Sequence, residues 1–137
     1  MTKPDFHLLR RGDALRPYSV RVTADEVRAY LAATGAGIGP WRANVPPLAL
    51  EALLLAGLMD EVPLPDGAVH VAQEVESVAA VAHGEPVEAR LTIAQQSVRQ
   101  GTNVVVFASE VWSGDRIVMR GRSTVMAPMP ALAEGAS

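Results

Sequence analysis

The second half of the chain alternates apolar and polar residues in four segments separated by short turns. The segments cover residues 68–78, 86–98, 102–112 and 116–127, and their period of two is typical of β-strands with one buried face. The links "RQG" and "SGD" between the last three segments are short enough for antiparallel hairpins. These segments therefore predict an antiparallel sheet with one face on the core and one face in water.

The first half of the chain changes to a helical period. "PYSVRV" at 17–22 predicts a short strand, and residues 23–34 predict an amphipathic helix with Thr23 and Glu26 at capping-box spacing and Gly35 after its end. A second helix is predicted from Pro47 to about residue 59, because proline suits the first turn of a helix. This second helix is apolar on almost every side, so we expect it to be enclosed.

The predicted sheet has one apolar face, and the second predicted helix is apolar. Both are buried if the sheet curls around that helix. The sequence therefore predicts a single α+β domain over residues 1–127, a size that 137 residues easily provide. The last ten residues, 128–137, are rich in proline and small residues and are predicted to be disordered. Such a sheet leaves an edge strand and part of the helix exposed, so we expect two subunits to pair.

Composition excludes several classes of function. The net charge of -3 gives no electrostatic basis for nucleic-acid binding. The chain has no cysteine and three scattered histidines, so we expect no metal site. The N-terminus lacks the apolar region of a signal peptide, which favours a cytoplasmic location. The longest apolar run, residues 45–59, is shorter than the ~20 residues that span a bilayer and contains Glu51, so we expect no membrane association.

Three stretches together resemble the MaoC-like hydratases and dehydratases of the hot-dog fold. They are "RRGDALRPYSVRVTADEVRAYLAATG" at 10–35, "VPPLALEALLLAGLM" at 45–59 and "VHVAQEVESVAAVAHGEPVEARLTI" at 69–93. The resemblance implies a single hot-dog domain with a curved antiparallel sheet wrapped around a long apolar helix. It also implies an acyl-thioester substrate on CoA or an acyl carrier protein, no cofactor of the protein's own, and a second hot-dog subunit or a second copy as partner.

The acid and base of that family are missing from their usual place. Members that hydrate enoyl thioesters carry the pattern Gly-Asp-x-Asn-Pro-x-His between the first two helices, where the Asp and His hold the water. The corresponding stretch here, "TGAGIGPWR" at 34–42, keeps Gly35 and Pro40, whereas Ala36 or Gly37 replaces the Asp and Arg42 replaces the His. None of these replacements can accept a proton, since arginine stays protonated at working pH.

Two other residues are candidate catalytic groups. Glu51 lies on the apolar helix, and a related dehydratase group of the same fold uses a Glu on this helix. A buried carboxyl there can have a raised pKa and act as an acid; alternatively, Glu51 makes a hydrogen bond at an interface. His70, on a predicted strand, has a side chain suited to proton transfer near neutral pH, or it is structural.

Trp41 and Arg42 are candidate substrate-binding residues. A Trp next to an Arg in a glycine-rich loop can line an acyl tunnel or meet the phosphates of CoA or of a carrier-protein arm; alternatively, Trp41 closes the end of the core. The loop is not a nucleotide-binding motif, because "GAGIG" follows a helix rather than a strand. His83, in the turn "AHGE", is predicted to lie on the surface.

Three interpretations follow from the resemblance and the missing motif. In the first, the chain is the degenerate half of a heteromeric (R)-3-hydroxyacyl-thioester dehydratase in fatty-acid or polyketide metabolism, shaping the acyl tunnel while its partner supplies the Asp and His. In the second, the chain acts alone as a dehydratase or thioesterase with a displaced site at Glu51 and His70. In the third, it binds acyl thioesters without turnover.

Overall fold

The computed structural model describes residues 3–130 of the chain. Its helices and strands, in chain order, are β1 (Tyr18–Val20), α1 (Ala24–Thr34), α2 (Pro47–Glu61), β2 (Val69–Ser77), β3 (Val87–Arg99), β4 (Thr102–Ser113) and β5 (Arg116–Pro128). Two short 3-10 turns, Phe6–Leu8 and Gly39–Trp41, precede β1 and α2 respectively.

All five strands form one antiparallel sheet in the order β1-β3-β4-β5-β2. The meander β3-β4-β5 and the antiparallel sheet that the alternating pattern predicted are confirmed. β2 pairs with β5 and lies at one edge of the sheet. β1 is shorter than the predicted strand at 17–22.

Helix α1 begins and ends as the sequence predicted. The Thr23 hydroxyl accepts a hydrogen bond from the backbone N–H of Glu26 at 3.2 Å, and the Glu26 carboxylate accepts one from the Thr23 N–H at 3.0 Å. This reciprocal pair satisfies two backbone donors that have no partner inside the helix. Gly35 ends the helix with φ at 74°, a left-handed conformation that glycine adopts without strain.

Helix α2 packs one of its faces against the sheet. Ala49, Leu50, Leu54 and Leu58 are buried on that face, and full burial of a leucine side chain contributes about 1.5–3 kcal/mol. Within one chain, however, the sheet does not enclose the helix on every side as predicted. The opposite face, here named the α2 stripe, consists of the exposed residues Leu48, Ala52, Ala56 and Met59, of which Leu48 is 64% exposed and Met59 48%.

A close contact between β1 and α2 fixes the position of the helix. The Tyr18 hydroxyl donates a hydrogen bond to the Leu54 carbonyl at 2.5 Å, and the Tyr18 ring lies directly on Gly57. A Cβ at Gly57 would overlap the Tyr18 ring. Glycine is therefore the residue that fits this turn of α2 without displacing the ring, although it is a poor helix former.

The ends of the described region pack against the same sheet. Phe6 is 1% exposed, with its ring centroid 6.4 Å from that of Phe107. At the other end, the backbone N–H of Met129 donates to the Gly101 carbonyl at 2.8 Å, so backbone pairing reaches just past the domain boundary predicted at 127. The rest of the predicted tail, residues 131–137, lies outside the described residues. No helix within residues 3–130 is long and apolar enough to span a membrane.

Candidate functional site

The loop between α1 and α2 carries Trp41 and Arg42, the two predicted substrate-binding residues. It contains the 3-10 turn Gly39–Trp41 and no Asp, Glu or His. Trp41 is half-buried and packs against the core, whereas Arg42 is exposed. Within residues 3–130, the Arg42 guanidinium makes no hydrogen bond or ion pair, so it is available to a ligand.

An apolar cavity of about 280 Å³ lies beside this loop. Its walls come from the loop, the first turn of α2, the end of β2 with the segment after it, and the start of β5. The main apolar wall residues are Trp41, Pro47, Leu50, Val78, Val118 and Met119. A cavity lined in this way favours a hydrocarbon chain over a polar ligand.

His83 holds the Trp41 wall of this cavity in place. Its Nε2 lies 2.9 Å from the Trp41 carbonyl oxygen and 3.1 Å from that of Asn44, and its backbone N–H donates to the Ala43 carbonyl at 2.9 Å. Next to it, the Val45 N–H donates to the Val81 carbonyl at 2.8 Å. The prediction of a surface position for His83 is therefore wrong: the residue is half-buried and fastens the loop to the segment that follows β2.

An arginine lies at the rim of the cavity. The Arg116 guanidinium donates to the Ala80 carbonyl at 3.4 Å and to the Glu85 carboxylate at 3.2 Å, and Ala80 is part of the cavity wall. The pKa of Glu85 is lowered, first by a hydrogen bond from the Ser113 hydroxyl, then by the Ala82 N–H and by Arg116. Glu85 therefore stays ionised and keeps Arg116 at the rim.

Glu51 forms a second polar feature, on the side of α2 that faces the sheet. Its Oε1 accepts a hydrogen bond from the Gln73 side-chain amide at 2.5 Å, and the Gln73 carbonyl oxygen accepts one from the Ser123 hydroxyl at 2.5 Å. Burial raises the pKa of Glu51, and the hydrogen bond from Gln73 partly offsets that rise because it favours the carboxylate. Glu51 is therefore hydrogen-bonded between α2 and the sheet, and its pKa is raised.

His70 does not join Glu51 within one chain. It is exposed on β2, where it pairs with Val125 of β5. In the described part of the chain, no hydrogen bond links the two candidate catalytic side chains. A site that uses both would need a second subunit, so the catalytic role of each stays a prediction.

The backbone of β5 comes close to the Gln73 amide at Gly121. Register places Gly121 between Val75 of β2 and Ser109 of β4. A Cβ at Gly121 would lie 2.9 Å from the Ser109 hydroxyl oxygen and 3.7 Å from Gln73 Nε2. No local sequence signal predicts this cluster, because its members come from three strands that are distant along the chain.

Comparison with solved structures identifies the fold. Neither a protein-family model nor a curated protein matches the sequence. A MaoC-like dehydratase from Rhodospirillum rubrum matches with a TM-score of 0.75 and 15% identity, over 93% of this chain and 98% of its own. The (R)-hydratase PhaJ1 from Pseudomonas aeruginosa matches with a TM-score of 0.70 and 18% identity, over 92% and 89%.

A third similar structure is a complex of two kinds of subunit. The C-terminally truncated HadBC complex from Mycobacterium tuberculosis, a 3R-hydroxyacyl-ACP dehydratase, matches with a TM-score of 0.69 and 21% identity, over 85% of this chain and 96% of that chain. At these identities the likeness concerns the fold rather than the chemistry. The chain has the hot-dog fold that MaoC-like hydratases and dehydratases share.

Proposed function

We propose that this chain is one subunit of an (R)-3-hydroxyacyl-thioester dehydratase, or enoyl-thioester hydratase, whose acid and base come from a second hot-dog subunit. The observation that carries the proposal is the apolar cavity at Trp41, which adjoins a loop without any carboxylate or imidazole. The chain would then bind and shape the substrate while its partner moves the protons. The pathway would be fatty-acid or polyketide metabolism.

In this proposal the acyl chain enters the cavity against Trp41 and Leu50. Arg42 follows the wall residue Trp41 in the chain, and Arg116 is bonded to the carbonyl of the wall residue Ala80, so both would meet the phosphates of CoA or of a carrier-protein arm. Pro46, which caps the start of α2, and Pro47, the first residue of α2, have no backbone N–H. The Leu48 N–H is then the first donor near the start of α2 that can polarise a thioester carbonyl. No cofactor beyond the thioester's own carrier group is needed.

The surface of the chain supports a hot-dog partner. The α2 stripe is apolar and exposed, and β2 leaves one edge of the sheet unpaired within the chain. On β2, Val69 is 56% exposed and Val71 48%. A second hot-dog subunit that covered both features would bury this apolar surface and pair the edge strand.

The test is an enoyl-thioester hydration assay with crotonyl and octenoyl thioesters. We expect no turnover by the purified chain alone, and turnover when it is co-expressed with a hot-dog subunit that keeps the Gly-Asp-x-Asn-Pro-x-His pattern. Trp41→Ala should change the preference of the pair for the longer chain, whereas Trp112→Ala, at the other tryptophan, should not. Equal turnover by the chain alone and by the pair would contradict the proposal, and thioester binding without turnover in both cases would leave a binding protein.

A second candidate function is a dehydratase or thioesterase that uses Glu51 of this chain as its acid. The raised pKa of Glu51 and its hydrogen bond to Gln73 favour this candidate. It predicts turnover by the purified chain, abolished by Glu51→Gln and unchanged by Glu74→Gln on β2. A His70→Ala variant, assayed beside them, tests whether His70 of a second copy takes part.

A further inference from the structure

The helix-facing side of the sheet is apolar except near Glu51. Val125, Phe107 and Ile93 are typical of the buried positions on that side. At Glu51 the pattern changes to polar or small residues, because Gln73 and Ser123 pair with each other in register and Gly121 follows on the same face. A buried polar group lowers stability unless it is hydrogen-bonded. Packing alone therefore does not explain the polar residues at this place.

The partner of Glu51 is neutral rather than cationic. An Arg or Lys beside a half-buried carboxyl would hold it ionised. An amide has both a donor and an acceptor, and a hydroxyl can act as either. In the ionised state Ser123 donates to Gln73, which in turn donates to Glu51. If Glu51 gains a proton, the Gln73 amide can rotate, accept from the carboxyl group and donate to Ser123.

We infer that Gln73 and Ser123 form a reversible hydrogen-bond relay that serves Glu51 in both protonation states, and that Glu51 is a proton-exchange position of this chain. Gln73 is the positioning residue in this relay, and Ser123 sets the orientation of its amide. Glu51 Oε2, which makes no hydrogen bond within residues 3–130, takes up and releases the proton, and a half-turn of the carboxyl group brings its O–H opposite the Gln73 amide oxygen. A water molecule or a ligand hydroxyl is the chemical partner that fits there.

The titratable groups around Glu51 do not exchange a proton with it directly. From β1, the Tyr18 phenol is the titratable group that interacts with Glu51, and its own pKa is raised by burial first and then by the charges of Glu51 and Glu61. Tyr18 therefore stays neutral throughout the range in which a carboxyl titrates. From β2, His70 is exposed and is not hydrogen-bonded to Glu51 in the described part of the chain. The inference bears on the second candidate function but does not depend on it.

The test is a pH titration of the Glu51 carboxyl carbon by NMR, with its resonance assigned by its absence in Glu51→Gln. Gln73→Leu removes the donor to the carboxylate, so we expect the proton affinity of Glu51 to rise roughly threefold to tenfold. Ser123→Ala frees the amide to rotate and should raise the affinity less. Ser123→Thr restores a hydroxyl and should return the wild-type titration.

Glu74→Gln is the matched control, because it changes a neighbouring residue of β2 whose side chain points to the other face of the sheet. Its effect on the Glu51 titration should be small. Circular dichroism of each variant separates a lost relay from a lost fold, and Ser123→Ala, a change of one oxygen atom, keeps the test available if Gln73→Leu does not fold. An unchanged titration in Gln73→Leu and Ser123→Ala would overturn the relay, whatever the thioester assays show.

Discussion

At the scale of single residues, the carboxyl of Glu51 links the protonation of the chain to its stability. Its pKa is higher in the folded chain than in the unfolded chain because folding buries it. The folded state therefore binds this proton more tightly. The resulting stabilisation is fully present below the unfolded pKa and is lost as the pH rises through the folded pKa.

The first prediction follows from this sign. Glu51→Gln keeps an oxygen that can accept from Gln73 but removes the charge, so at pH 8 we expect its melting temperature to exceed that of wild type by roughly 1–4 °C. At pH 4 the difference should shrink or reverse. Thermal unfolding by circular dichroism across pH 4–8 measures this, with Glu74→Gln as control. The same difference in melting temperature at pH 4 and at pH 8 would contradict a raised pKa of Glu51.

Gly57 gives a second prediction at the same scale. Alanine is a better helix former than glycine by about 1 kcal/mol, but a Cβ at Gly57 would overlap the Tyr18 ring. Displacing that ring typically costs about 1–3 kcal/mol, so after the gain in helix propensity we expect Gly57→Ala to lower the free energy of unfolding by up to about 2 kcal/mol. Urea denaturation measures it. Gly37→Ala, where nothing lies within 4 Å of the new Cβ, should be neutral or slightly stabilising.

At the scale of elements, the helices and strands were predictable because their signals are local. Thr23, Glu26 and Gly35 set the ends of α1, and period-two alternation located β3 to β5. The contacts that build the candidate site are not local. Glu51 meets Gln73 from 22 positions away, and Ser123 meets Gln73 from 50. No pattern within a short window predicts such a meeting, so the sequence located Glu51 on its helix but missed its partners.

The hydrogen bonds of His83 give the third prediction, which concerns the loop before α2. His83 reaches the Trp41 carbonyl from 42 positions away and holds one wall of the cavity. In a Trp112→Phe background, which leaves Trp41 as the single tryptophan, His83→Ala should shift fluorescence emission to longer wavelength because Trp41 becomes more exposed. We also expect a loss of about 1 kcal/mol in stability.

The rescue variant decides between a specific bond and general packing. His83→Gln keeps a side-chain N–H donor and should return much of the original emission. Emission that is unaltered by His83→Ala would show that the loop does not depend on this side chain.

At the scale of the whole molecule, one chain leaves apolar surface uncovered. The α2 stripe and the free edge of β2 are the parts of the hot-dog domain that a second subunit would cover. The sequence predicted this exposure from the apolar helix and the small sheet. The identity of the covering subunit could not be predicted, because it depends on how well the partner's surface fits, and the sequence of one chain does not contain the partner's surface.

The fourth prediction tests that surface. In the purified chain we expect self-pairing, and the double variant Leu48→Lys with Met59→Lys should convert it to a monomer, because each lysine would be buried without a partner. Light scattering after size exclusion measures the mass. Val98→Lys, at a β3 position that is 50% exposed, is the matched control and should leave the pairing unchanged. A dimer that survives the double substitution would place the interface elsewhere.

The measurement that tests the account most directly is calorimetric titration of the purified chain with octanoyl-CoA and with free CoA. The account predicts that octanoyl-CoA binds more tightly than CoA, because the acyl chain enters the cavity at Trp41, and that Trp41→Ala changes this difference while Trp112→Ala does not. Equal binding of the two ligands, or no binding of either, would contradict the claim that this hot-dog chain holds an acyl thioester.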